Sequence, residues 1–173
     1  MIRVGFARQP VDRCVSMFEY LFDPVGGKHL RPYLCYLRRC NIVPLHKRLA
    51  WSRAARFDTF LDAVEWQDAY RRGPDPAAPI DLHFSTHTNP MSRDVLQPDG
   101  TLALSHLIRL ESFEAGIDLC YDLCKVTRPE GSHGIRRNSG ATARRYEPSP
   151  QQRRRIEHLY AKDCDLYENA LVL

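Results

Sequence analysis

The stretch ARQPVDRCVS, residues 7–16, follows the short apolar run IRVGF and brings two side chains suited to an anion close together in sequence. Proline fixes its own backbone torsion and fits the first turn of a helix, so the stretch reads as strand, turn, helix. Arg8 then stands at the carboxyl end of the strand and Ser16 on the helix behind it. A guanidinium and a hydroxyl placed this way offer positive charge and directional donors. His29, His46, His83 and His87 are the candidates for taking up a proton near neutral pH. Each of these residues also has a plain reading: surface polar groups are usually solvated, and a single histidine often serves as a structural hydrogen-bonder.

The elements that must position these groups follow from periodicity. IRVGFA is a strand, and VDRCVSMFEYLF has apolar residues at helical spacing. Residues 24–56, broken by Gly and Pro, form a basic irregular insertion with room for one short helix. FDTFLDAVEWQDAYRR recovers a helical period, with Phe57, Phe60, Leu61 and Val64 on one buried side, and GPDPAAP ends it. The polar stretch IDLHFSTHTNPMSRDVLQPDG reads as a loop, and TLALSHLIRL as a buried strand. ESFEAGIDLCYDLCKV is a helix whose stripe of Phe113, Ile117, Cys120, Tyr121 and Cys124 fits a core face. From TRPEGSH to RRYEP the chain is basic and reads as mobile. One last helix starts at Ser149, with Pro150 in its first turn and Gln152 completing an S-x-x-Q capping box. Its apolar side runs on through Ile156, Leu159, Tyr160, Cys164 and Tyr167.

At 173 residues the chain has the length of a single domain, 1–173, with enough apolar residues for one ordinary core. It shows neither a signal peptide nor an apolar run long enough for a membrane segment, which predicts a soluble chain. None of its six cysteines falls in a paired CxxC spacing, so buried free thiols, a reducing compartment and a cytoplasmic location are expected. The net charge is only +4, but it is unevenly spread. No acidic residue lies between Asp23 and Asp58, and a second cluster runs through Arg128, Arg136, Arg137, Arg144, Arg145 and Arg153 to Arg155. Such clusters are either solvated faces or a means of drawing an anionic ligand toward a cleft. No zinc-finger spacing or RNA-binding sheet motif accompanies them, which argues against nucleic acid.

Taken together, ARQPVDRCVSMFEY resembles the R-x-P-x-x-R-x-x-S-x-x-x-Y/F element of sulfotransferases that use 3′-phosphoadenosine 5′-phosphosulfate (PAPS), above all the carbohydrate-directed branch. FDTFLDAVE resembles the helix after the family's insertion, DLHFSTHTN its H-W-x-P-Q loop, and LIRLESFEAGIDLC its strand ending in R-x-E. LYAKDCDLYE resembles the terminal Y-x-x-D-x-x-L-Y/F helix. These elements span most of the chain and keep the family's order.

The resemblance implies an α/β fold: a P-loop NTPase-like parallel sheet flanked by helices and incomplete at the N-terminus. It implies PAPS as sulfuryl donor, a carbohydrate or other hydroxyl acceptor, and Arg8 and Ser16 as the grip on the 3′-phosphate. Arg13 matches the pattern as a further cofactor-binding residue; its plain alternative is a surface pair with Asp12 or Glu19. GIRRNSG resembles the family's R-K-G loop and adds Arg136 and Arg137 to the phosphate contacts. His83 matches the histidine of the H-W-x-P-Q loop and is the candidate catalytic base, although Thr86 and His87 replace the family's Pro and Gln. Arg109 and Glu111 match R-x-E and read as a structural ion pair on one strand face.

The family's K-x-x-x-T/S loop, which cradles the 5′-phosphosulfate, has no counterpart in this sequence. The expectation is therefore a truncated carbohydrate sulfotransferase, whose chain can hold the nucleotide without being able to run the reaction. The alternative is a non-catalytic nucleotide- or glycan-binding relative, and after it a basic nucleic-acid-binding module. A sheet without its first unit exposes an edge, which suits pairing into a homo-oligomer.

Overall fold

A computed structural model of the chain describes residues 1–22, 52–72, 82–132 and 145–173. Most of the insertion, His29, His46, Arg136 and Arg137 lie outside the described residues. The described chain is mixed α/β, mostly helical, with one two-stranded parallel sheet. It forms two compact units. One, the sheet unit, comprises Met1–Pro10, Pro90–Gly140 and Tyr160–Leu173; the other, the helical unit, comprises Val11–Asn89 and Ala141–Leu159.

In the sheet unit, β1 (Val4–Ala7) pairs in parallel with β2 (His106–Arg109), Val4 standing opposite His106 and Ala7 opposite Arg109. The C-terminal Leu171 bridges the other side of β2, where Arg109 N donates to its carbonyl at 2.9 Å. Ala7, Leu107 and Ala170 form a small core, with Leu104, Leu166 and Tyr167 against it. The strand expected over TLALSHLIRL is confined to its second half. Pro98, Asp99 and Gly100 turn the chain instead: Gly100 has a φ of 84°, the Asp99 carboxylate accepts from Thr101 N at 2.9 Å, and Leu102 bridges back to Leu96.

After β2 a 3-10 turn (Leu110–Ser112) leads into a helix over Phe113–Cys124 that does not bury the expected stripe. Phe113 is 41% exposed, Cys124 is exposed, and Gly116 is the helix's buried residue. Glycine has no Cβ, so the helix backbone approaches Phe6 and Ile108 there. The contact face is therefore centred on Gly116, roughly a quarter turn away from the apolar stripe.

The helical unit is built on aromatic rings. Helix α1 (Pro10–Leu21) begins with its proline and buries Val11, Cys14, Val15, Phe18 and Leu21 at helical spacing. Helix α2 (Arg53–Arg72) starts before Phe57, because the Ser52 hydroxyl accepts from Ala55 N at 3.2 Å and caps it. Arg53–Arg56, expected in the irregular insertion, are thus helical. Phe18 meets Phe57 edge-on at 4.9 Å, and Phe22 and Phe84 both lie against Phe60. Tyr146, from the stretch read as mobile, packs on Phe57 at 4.6 Å.

The stretch read as a loop contains α3 (Leu82–Thr88) and α4 (Ser92–Val95). Its polar side chains hid the helix because they are satisfied inside the unit: Thr88 Oγ1 donates to Phe84 O at 2.8 Å and contacts Gln67 Oε1 at 3.1 Å. Numbering on, the Phe113–Cys124 helix is α5. The last helix is two, α6 (Pro150–Leu159) and α7 (Ala161–Glu168), separated at Tyr160, whose ψ of 32° leaves the helical range. The capping box forms as expected, with Ser149 N donating to Gln152 Oε1 at 2.9 Å and Gln152 N to Ser149 Oγ at 3.3 Å. The break has a tertiary cause: α6 packs in the helical unit, whereas Asp163 of α7 is buried in the sheet unit.

Candidate functional site

The two strands end level with each other, and each runs on into a helix. Arg8 follows the fully buried Ala7 at this edge and is half-buried. The carboxyl ends of parallel strands are where open α/β sheets take up ligands. Arg109 ends β2 at the same edge. Its Nε donates to Tyr167 O at 3.0 Å, its terminal nitrogen reaches Glu168 O at 2.9 Å and the Glu168 carboxylate at 3.3 Å, and the guanidinium lies over the Tyr167 ring. The expected Arg109–Glu111 pair is replaced by this one, because the chain leaves the strand at Leu110 and the two residues no longer share a face. Glu111 instead hydrogen-bonds Tyr167, whose phenol pKa is raised, first by burial and then by this contact.

Within the helical unit, Ser16 is half-buried on α1. Arg13, one turn earlier, donates to Asn89 O at 2.5 Å and His87 O at 3.4 Å, at the carbonyl end of α3. A guanidinium there satisfies terminal carbonyls and suits the helix dipole. Asp12, on the same helix, pairs with Arg145 at 3.0 Å, and Glu19 with Arg53 at 3.0 Å. Tyr20 lies one turn beyond Ser16 on the same face of α1. Its ring stands 5.1 Å from that of His87 and 6.2 Å from that of His83. The fold thus brings α3, with His83 and His87, onto the Ser16 side of α1. Arg8 belongs to the sheet unit and Ser16 to the helical unit.

The described arginines of the second basic cluster are largely paired. Arg128 binds Glu114 and Asp118 at 2.7 and 2.8 Å, and Arg155 binds Asp62 and Glu65 at 2.7 and 2.8 Å. The hydrogen bonds it donates, to Glu65 above all, raise the Arg155 pKa further. A hollow of about 490 Å³ beside the end of α5 is lined by Asp118, Asp122, Lys125 and Arg128, a mixture of signs that does not single out an anion. Burial pushes the Cys14 thiol up to about 12, with Arg13 pulling weakly the other way. Among the described residues no group of three or more His, Cys, Asp or Glu could hold a metal ion, and no helix is long and apolar enough to cross a membrane.

Two residues that matter here escaped sequence reasoning. Tyr20 is an exposed aromatic whose role depends on what packs beside it. Asp163 accepts from Met91 N at 2.7 Å and Ser92 N at 2.8 Å, fixing the start of α4. The aspartate of the Y-x-x-D-x-x-L-Y match was the available signal for Asp163. A scan against protein-family models finds no match to this chain, and searches of curated proteins and of solved structures likewise find none.

Proposed function

We propose that this chain is a PAPS-dependent, carbohydrate sulfotransferase-like protein whose own residues hold the 3′-phosphate end of the nucleotide. The supporting observation is the parallel, level pairing of β1 and β2, with Arg8 at their carboxyl edge and a helix following each strand. That is the setting in which a P-loop NTPase-like sheet places a phosphate. Arg8 supplies charge to the dianion, and Ser16 is the hydroxyl donor that the family pattern names. Arg13 holds the carbonyl end of α3, and Arg136 and Arg137 are further phosphate partners in this reading.

For transfer, the acceptor hydroxyl oxygen bonds to sulfur as the bond from sulfur to the 5′-phosphate oxygen breaks. The hydroxyl proton passes to a base, and His83 is the candidate. His83 is exposed and stands on the Ser16 side of α1, an arrangement open to an acceptor such as a sugar hydroxyl. Binding without transfer is the second reading, since Arg8 and Ser16, the residues this proposal rests on, hold the 3′-phosphate and not the sulfuryl group.

The test is calorimetric titration of the chain with PAP, the desulfated nucleotide, beside Arg8→Ala. Saturable binding that Arg8→Ala weakens at least tenfold supports the proposal. Absence of binding, or binding indifferent to Arg8, refutes it. Sulfate transfer from PAPS to a glycan, tested with His83→Ala, then separates the enzyme from the binding protein.

A further inference from the structure

We propose that His83 and His87 form a two-imidazole chelating site for a divalent transition-metal ion of the zinc, nickel and copper class. The proposal goes beyond the nucleotide reading and stands without it. The two histidines are four residues apart on α3, which puts both side chains on one face of the helix. That face is turned outward, since Phe84, Ser85 and Thr88 are the buried residues; His83 is exposed and His87 half-buried.

The rings are already spaced for chelation. A metal–nitrogen bond of about 2.1 Å, added to the ring's own radius, places each ring centroid roughly 3.2 Å from a shared ion. The observed centroids are 4.7 Å apart. Two arms of that length then meet at roughly 95°, between the square-planar and tetrahedral angles these metals adopt. The planes are inclined by 78°, so the rings meet edge to face and do not stack in parallel.

The surroundings hold this geometry. Arg13 binds the carbonyls of His87 and Asn89, the Thr88 hydroxyl ties the helix to Gln67, and Tyr20 lies against both imidazoles. A pair whose backbone and rings are held before the ion arrives loses less freedom on binding it. Imidazole selects zinc, copper and nickel over calcium and magnesium, which prefer hard oxygen ligands. Among the described residues no group of three His, Cys, Asp or Glu forms around the pair, so the two imidazoles are the protein ligands of the proposed site.

Nickel is the probe of choice, since it favours imidazole and does not oxidise thiols as copper does. The full chain is titrated with nickel alone by calorimetry, beside His83→Ala, His87→Ala and, as control, His158→Ala from the exposed face of α6. One site per chain is expected, weakened at least tenfold by either α3 variant and less than twofold by the control. In the parent, the paramagnetic ion broadens the NMR signals of the His83 and His87 rings before those of other histidines, a readout that needs no variant to fold. Binding within twofold of the parent in both α3 variants, or earlier broadening of other histidines, overturns the site and leaves an ordinary edge-to-face ring contact.

Discussion

Removing the Asp163 carboxylate should strongly destabilise the sheet unit. Asp163 is 1% exposed, and each of its oxygens accepts one backbone N–H, from Met91 at 2.7 Å and from Ser92 at 2.8 Å. A hydrogen bond to a charged group contributes about 1.5–3 kcal/mol, and a buried donor left without a partner costs about 1–3 kcal/mol. Asp163→Ala orphans both donors and opens a small cavity, so a loss of about 3–5 kcal/mol is expected. Asp163→Asn keeps one acceptor oxygen but turns an amide donor toward the other N–H, leaving one buried donor without a partner; about 2 kcal/mol is expected. Urea unfolding followed by circular dichroism measures the global loss. Amide exchange at Met91 and Ser92 reads the local one, which matters in a chain of two units because they need not unfold together. If Asp163→Ala stays within about 0.5 kcal/mol of the parent, with protection at both amides unchanged, the carboxylate is not the anchor described here.

Two further outcomes test the packing. Cys14 should resist iodoacetamide at pH 8 in the folded chain while the exposed Cys124 reacts, because burial holds its thiol up to about 12 against an ordinary 9.0. Equal labelling rates would contradict that burial. The folded pKa is the higher one, so the stabilising contribution is fully present below pH 9 and is lost as pH rises toward 12, by about 1.4 kcal/mol per pH unit at most; Cys14→Ala should lack this decline. Gly116→Ala would place a Cβ 2.6 Å from Phe6 Cε1 and 3.2 Å from Ile108 Cδ1, for a cost of about 1–3 kcal/mol. Gly5→Ala meets the flexible tip of Leu104 and should cost less; thermal melts ranking the two in the opposite order would show that α5 does not press on the sheet through Gly116.

Local signals in the sequence determined a good part of this fold. Pro10 at the start of α1, the Ser149–Gln152 capping box and the apolar spacing of Phe57, Phe60, Leu61 and Val64 depend on residues within a few positions of one another, so short-range chemistry is enough to read them. The places where the reading failed are those decided by contacts distant in sequence. Polar α3 is a helix because Phe84 and Thr88 find Phe22, Phe60 and Gln67, and the break at Tyr160 arises where α6 and α7 enter different units. The apolar stripe of α5 lost to a glycine, since close backbone approach to Phe6 turned the helix onto another face.

The candidate site divides in the same way. Arg8, Ser16 and His83 are named by their match to the sulfotransferase pattern, laid over a strand end, a helix and an imidazole that are visible in one dimension. Their surroundings could not. That Arg13 serves the carbonyls of α3, that Arg109 turns to Glu168 and not to Glu111, and that Tyr20 brings His83 and His87 to the Ser16 side of α1 are consequences of tertiary packing. Charged and aromatic side chains choose partners by distance in space, a few ångströms through a short-ranged interaction, and sequence separation carries no record of that distance.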